Sequence, residues 1–164
     1  MVNPSRNIPG TDLKRTKSGG LARLLRAAEN GDAGAQFNLG VFYDNSLDDN
    51  HHSVGGKRAD SIKWLLKAAR QGLPRAQSKL AELYVDGPEA PKHDVPAHAW
   101  FTLAAKNSTG ADRHRAEFGY TRVALRMTPA QLSQATRLAH DWTPKPHVVA
   151  TPATAGNFPE KGTR

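Results

Sequence analysis

The sequence predicts an all-α protein, a short right-handed α/α solenoid of helix-turn-helix repeats, and three observations carry that prediction. A motif recurs at fixed spacing, helical periodicity fills each copy, and strand signals are nearly absent. Ala27-Ala28, Gly31, Ala35-Gln36, Leu39 and Tyr43 return as Ala68-Ala69, Gly72, Ala76-Gln77, Leu80 and Tyr84, each position moved by the same amount (68 − 27, 84 − 43). A weaker third copy follows in Ala104-Ala105, Gly110 and Phe118-Gly119, with Phe118 standing where Leu39 and Leu80 stand. Repeats of this period form units that each bury an apolar face on the next.

The elements follow in chain order. Residues 1–19 lack apolar periodicity and read as an unstructured basic arm. A first helix is expected at 20–30, ahead of helix pairs at about 33–71 and 74–106. In AGAQFNLGVFYD, Ala35, Leu39, Phe42 and Tyr43 fall at i, i+4, i+7 and i+8, one face of a helix. PRAQSKLAELYV repeats the arrangement with Ala76, Leu80, Leu83 and Tyr84, and Pro74 suits a first helical position. The second helix of each pair carries Trp64 before Ala68-Ala69 and Trp100 before Ala104-Ala105, so ring and small methyls share a face that a neighbouring helix can approach. Asp94 is the expected N-cap of the later one.

A terminal helix pair is expected at about 111–142. Thr128-Pro129-Ala130-Gln131 has the form of a capping box. The helix it starts carries Leu132, Ala135, Leu138, Ala139 and Trp142 on one face, expected to close the open edge around Phe118 and Leu125. The solenoid thus spans 20–143. Residues 144–164, rich in Pro, Thr and Gly, read as an unstructured tail.

From about Leu21 to Pro144 these motifs resemble the Sel-one-like repeat (SLR) family, relatives of the tetratricopeptide repeats. Ala35-Gln36, Leu39-Gly40 and Tyr43 fit its first helix, as do Ala76-Gln77, Leu80 and Tyr84. Trp64 with Ala68-Ala69 and Trp100 with Ala104-Ala105 fit its second. The sequence departs from the pattern at Ser61, in the long loop 45–57, and at His114 and Arg122 of the third copy. The resemblance implies a non-enzymatic bacterial adaptor that binds a protein or peptide on the concave wall of the array.

Composition bounds the alternatives. Cysteine is absent, which removes disulfide frameworks and thiolate metal sites. The N-terminus has no apolar signal core, and no stretch is long enough to span a bilayer, so a monomer in the cytoplasm is the default expectation, with non-classical secretion left open. Net charge is +8, but residues 27–105 hold eight Lys/Arg against ten Asp/Glu, so the basic charge is peripheral. A solenoid tracking a phosphate backbone would spread cations along its repeated face. The ordered basic stripe is Arg115, Arg122 and Arg126, which carries the alternative reading of nucleic-acid association.

Catalytic and metal patterns fail. Gly55-Gly56-Lys57 ends like a phosphate-binding loop, but His51 replaces its first glycine and Arg58 its magnesium-binding hydroxyl. His51-His52 beside Asp48 and Asp49 reads as a solvated loop, and His93, Asp94 and His98 as a cap with an exposed histidine. No catalytic residue, metal site or cofactor is assigned. Function is expected where the copies differ. Recurring positions hold the stack, whereas Phe37/Ser78/Ala116, Asn38/Lys79/Glu117 and Val41/Glu82/Tyr120 vary freely. Phe37, Asn38, Val41, Lys79, Glu82 and Tyr120 are therefore the expected partner-facing set, with Phe37 and Val41 as an apolar pair.

Overall fold

The computed structural model describes residues 10–45, 57–86 and 93–145. Within them lie seven helices and no strand: α1 (Gly10–Glu29), α2 (Ala33–Asp44), α3 (Lys57–Arg70), α4 (Pro74–Val85), α5 (Asp94–Asn107), α6 (Gly110–Ala124) and α7 (Pro129–Asp141). The loop histidines His51-His52, the Gly55-Gly56 pair, residues 1–9 and the tail from residue 146 lie outside the described residues.

Each repeat turn is built the same way. Gly31 and Gly72 adopt φ of 94° and 92°, a left-handed conformation that favours glycine, and this reverses the chain after the Ala-Ala pair. The next helix then starts on a cap. The Asp32 carboxylate accepts from the Ala35 N–H, and Pro74 occupies the first position of α4.

Packing follows the repeat. α2 lies along α3 and α4 along α5, while α3 meets α4 and α5 meets α6. The alanines are the contact surfaces: Ala28, Ala68, Ala69, Ala76, Ala81, Ala97 and Ala104 are fully buried. Trp64 is buried against Ala28, Ala35 and Leu39, and Trp100 sits half-buried where three core clusters meet. Gly40 marks the closest approach of α2 to α3, because a Cβ there would stand 2.6 Å from Leu65 Cγ.

The recurrent glutamines do structural work that their motif position did not reveal. Gln36 Nε2 donates to the Ala28 carbonyl (2.9 Å) and Gln77 Nε2 to the Ala69 carbonyl (3.2 Å), each a second bond to an oxygen that also accepts from the turn glycine, Gly31 or Gly72. Both side chains are buried.

Several expectations are corrected. α1 begins at Gly10 rather than 20. Residues 11–18 contain no proline, and a helix nucleated by the packed turns at Leu21, Leu24 and Leu25 extends backwards at one hydrogen bond per residue. Asp94 is not the N-cap of α5. That place falls to His93, and the Asp94 carboxylate instead accepts from Arg126 Nε at 3.0 and 2.9 Å. His98 is half-buried, against the ring of Tyr120.

The capping box forms as expected: Thr128 Oγ1 accepts from Gln131 N–H (3.3 Å) and Gln131 Oε1 from Thr128 N–H (2.8 Å). The helix it starts does not close over α6. α7 packs on α5, where Ala139 meets Ala99 and Leu103 and Trp142 meets Trp100 edge to face at 6.0 Å. Phe118 stays 66% exposed and Leu125 85%, with Leu138 also exposed. The small residues of α5 offer α7 a closer approach than the charged outer flank of α6.

Candidate functional site: a groove across the first helices

The third copy is turned by two residues relative to the alignment of Phe118 with Leu39 and Leu80. α6 packs Ala116, Tyr120 and Val123 on the core, 40 residues beyond Ala76, Leu80 and Leu83 of α4 (116 − 76, 120 − 80, 123 − 83), and buries Gly119 beside them. Phe101 forces this register. A Cβ at residue 119 would lie 2.5 Å from its ring, so only glycine lets α6 settle there. Phe118, Arg115 and Arg122 are thereby swung outward, toward α4.

The result is a groove in which α2, α4 and α6 all take part. One cleft of about 130 Å³ is lined by Phe37, Arg75, Ser78, Lys79, Glu82 and Arg115, among others. A second, of about 210 Å³, shares Glu82 and Arg115 and adds Asp86, Phe118 and Arg122, so the two form one continuous surface. Phe37 is half-buried against the α3–α4 cluster, and the Arg75 guanidinium lies 4.9 Å from its ring centroid.

Charge in the groove is mixed and mostly paired. Lys79 Nζ reaches Asp44 Oδ2 at 2.8 Å and Glu82 Oε2 at 3.8 Å. Arg115 meets Asp112 at 3.5 Å, and Arg122 meets Asp86 at 3.7 Å. Both arginine pairs are more than half exposed, and pairs of that kind are worth little in water, so a partner can exchange them at small cost.

Of the expected partner-facing residues, Phe37, Lys79 and Glu82 line the groove. Asn38 is exposed and Val41 half-buried on α2, both outside the cleft lining. Tyr120, half-buried, lies outside the lining of both clefts. The turn of α6 puts it in the place of Leu80, against the core beside Phe101 and Ala97, with its ring 5.6 Å from His98. Arg75 and Phe118 are groove residues that the comparison of copies did not select. Arg75 lies one turn before Lys79, and that spacing was the available signal.

The arginine stripe also divides. Arg115 and Arg122 enter the groove, whereas Arg126 lies beyond the end of α6 and is fixed on Asp94, which is buried. That hydrogen-bonded carboxylate raises the Arg126 pKa above its ordinary value. Elsewhere, burial raises the Tyr84 hydroxyl, whose ring stacks on His93 at 5.2 Å, and lowers the His98 imidazole. Neither group lines the groove. Among the described residues no cluster of three or more His, Asp or Glu could hold a metal ion.

No family model and no curated relative matches the chain. Among solved structures it is similar to a protective antigen present in uropathogenic Escherichia coli strains, described as displaying an SLR fold. The two share 32% identity over 73% of this chain, with a TM-score of 0.57. The chain has an SLR-like fold. It spans 24% of the length of that antigen, so the SLR likeness speaks for the repeat array and not for the whole of the larger molecule. SLR-fold repeat proteins are in general protein-interaction scaffolds, and here no helix among the described residues is long and apolar enough to cross a membrane.

Proposed function

We propose that this chain is a non-enzymatic scaffold that binds a peptide segment of a protein partner along the α2–α4–α6 groove. The observation that carries the reading is the groove's lining. It is made from positions that differ between copies, while the positions that recur are consumed in the stack. Its clefts, at about 130 and 210 Å³, are shallow and smaller than the roughly 300 to 1,000 Å³ of small-molecule sites. They suit side chains of an extended segment. Nucleic-acid association is the weaker reading, because the carboxylates of Glu82, Asp86 and Asp112 line the groove beside Arg115 and Arg122, and Arg126 is fixed on the buried Asp94.

A photo-crosslinking amino acid placed at Ser78 tests this directly, with the same residue at Lys63, exposed on the outer helix α3, as control. The expected result is a discrete protein adduct from position 78 that disappears with Phe37→Ala and survives nuclease. Equal adducts from both positions, or an adduct removed by nuclease, would overturn the proposal.

A further inference from the structure

The groove contains one cation that no acid among the described residues neutralises. Lys79 is held by Asp44 and Glu82, Arg115 by Asp112, and Arg122 by Asp86. Arg75 has no carboxylate partner among the described residues. Its contact is the face of Phe37 at 4.9 Å. A guanidinium stacked on a ring through its face keeps its in-plane N–H donors directed outward, in the fork that matches a carboxylate. The acids nearest by position, Glu82 and Asp112, are occupied by Lys79 and Arg115. Arg75 therefore leaves the cleft with an unbalanced positive charge on a rigid apolar platform.

At the other end of the groove the requirement is apolar. Phe118 is 66% exposed, lines the second cleft, and is flanked by Arg115 and Arg122. An exposed aromatic whose flanking arginines are paired with Asp112 and Asp86 offers a surface to an aliphatic or aromatic side chain.

We propose that the groove selects an acidic peptide segment, with an Asp or Glu side chain bound by Arg75 over Phe37 and an apolar side chain placed on Phe118. This rests on the groove being the partner site. It adds the partner's chemistry. The segment is extended, because it must pass from α2 across α4 to α6, and its acid can also draw on Arg115 as that residue exchanges its loose pair with Asp112.

The test uses the full chain and three fluorescein-labelled pools of ten-residue peptides. The pools are identical at their degenerate positions and carry Glu, Gln or Lys at two central positions followed by a fixed Leu; binding is read by anisotropy. The Glu pool should bind about tenfold more tightly than the Gln pool, the scale of one charge-assisted hydrogen-bonded contact. Arg75→Gln should erase that preference and Arg75→Glu should turn it toward the Lys pool, while Phe118→Ala weakens the Glu and Gln pools alike. Arg75 is exposed, and circular dichroism confirms that its variants keep the parental helicity. Equal binding of the Glu and Gln pools, a Lys preference, or a Glu preference that survives Arg75→Gln overturns the acidic assignment, yet leaves the groove reading standing if the Ser78 adduct persists. Failure of all pools together with loss of that adduct overturns both. A labelled DNA strand that binds more tightly than the Glu pool, and is released by Arg115→Glu, would replace the peptide with nucleic acid.

Discussion

Exchanging the residues at 71 and 107 tests the repeat logic at its least obvious point. Gln71, at the end of α3, reaches back over its own repeat and donates to the Gly31 carbonyl (2.9 Å) and to Gln36 Oε1 (2.8 Å). The equivalent place in the next repeat is Asn107, since Trp64 to Trp100, Ala68 to Ala104 and Gln71 to Asn107 share one offset (100 − 64, 107 − 71). Asparagine is shorter by one carbon–carbon bond, about 1.5 Å. The acceptor it would have served, Gln77 Oε1, is buried and has no hydrogen-bond partner among the described residues. A cleft of about 450 Å³ between Gly72, Asn107 and Trp142 leaves room for the longer side chain.

Gln71→Asn should strand Gln36 Oε1, at 1% exposure, and cost about 1–2 kcal/mol. Asn107→Gln should supply the missing donor and gain about 0.5–1.5 kcal/mol. For an array of this size those figures correspond to roughly 3–6 °C down and 2–5 °C up in Tm. Calorimetry and urea unfolding measure both. If Asn107→Gln leaves Tm unchanged or lower while the fold is intact, the two turns are not equivalent, and the bridging role assigned to Gln71 is local to one repeat.

Two further outcomes follow from the packing. Gly119→Ala sets a helix-propensity gain of about 1 kcal/mol against displacement of Phe101, a ring only 3% exposed, at about 1–3 kcal/mol. The net should be destabilising, whereas Gly20→Ala, with nothing within 4 Å of the new methyl, should stabilise by about 0.5–1 kcal/mol; a stabilised Gly119→Ala variant would refute the close approach of α6 to α5. Burial lowers the His98 pKa from its ordinary 6.5, so the folded chain binds that proton less readily than the unfolded one. Its contribution is full above about pH 6.5 and is lost as the pH falls below that toward the depressed native value, so His98→Gln should flatten Tm between about pH 7 and about pH 5, and an unchanged slope would show that other groups set it.

What was legible in the sequence is what the repeat imposes. Gly31 and Gly72, the Ala-Ala pairs, Trp64, Pro74 and the Thr128–Gln131 box are local requirements, each tied to a turn, a cap or a close contact, so type and spacing reveal them. The third copy departs from its motif because its register depends on a contact made elsewhere. Matching Phe118-Gly119 to Leu39-Gly40 follows the residue types, but the space left by Phe101 decides where glycine must stand. The same limit hid the path of α7. Leu132, Leu138 and Trp142 announce an amphipathic helix without saying which neighbour it meets, and the small surface of Ala99 and Leu103 drew it to α5. Asp94 likewise reads as a cap by position, and it takes the folded chain to bring Arg126, 32 residues away, onto its carboxylate.

The shifted register of α6 and the candidate site are the same fact seen from two sides. Had α6 aligned as the motif suggests, Phe118 would be buried like Leu39 and Leu80, and Tyr120 would extend the series Val41, Glu82 on the outer wall. Turning α6 by two residues commits Tyr120 to the core and releases Phe118, Arg115 and Arg122 beside Glu82. The groove thus ends on a surface that no internal repeat can provide, because an internal copy needs its Leu position for the next stack. A terminal repeat is free of that duty. Its departure from the pattern, which at the level of sequence looks like decay, is what gives this short array an aromatic and cationic edge different from its other two copies.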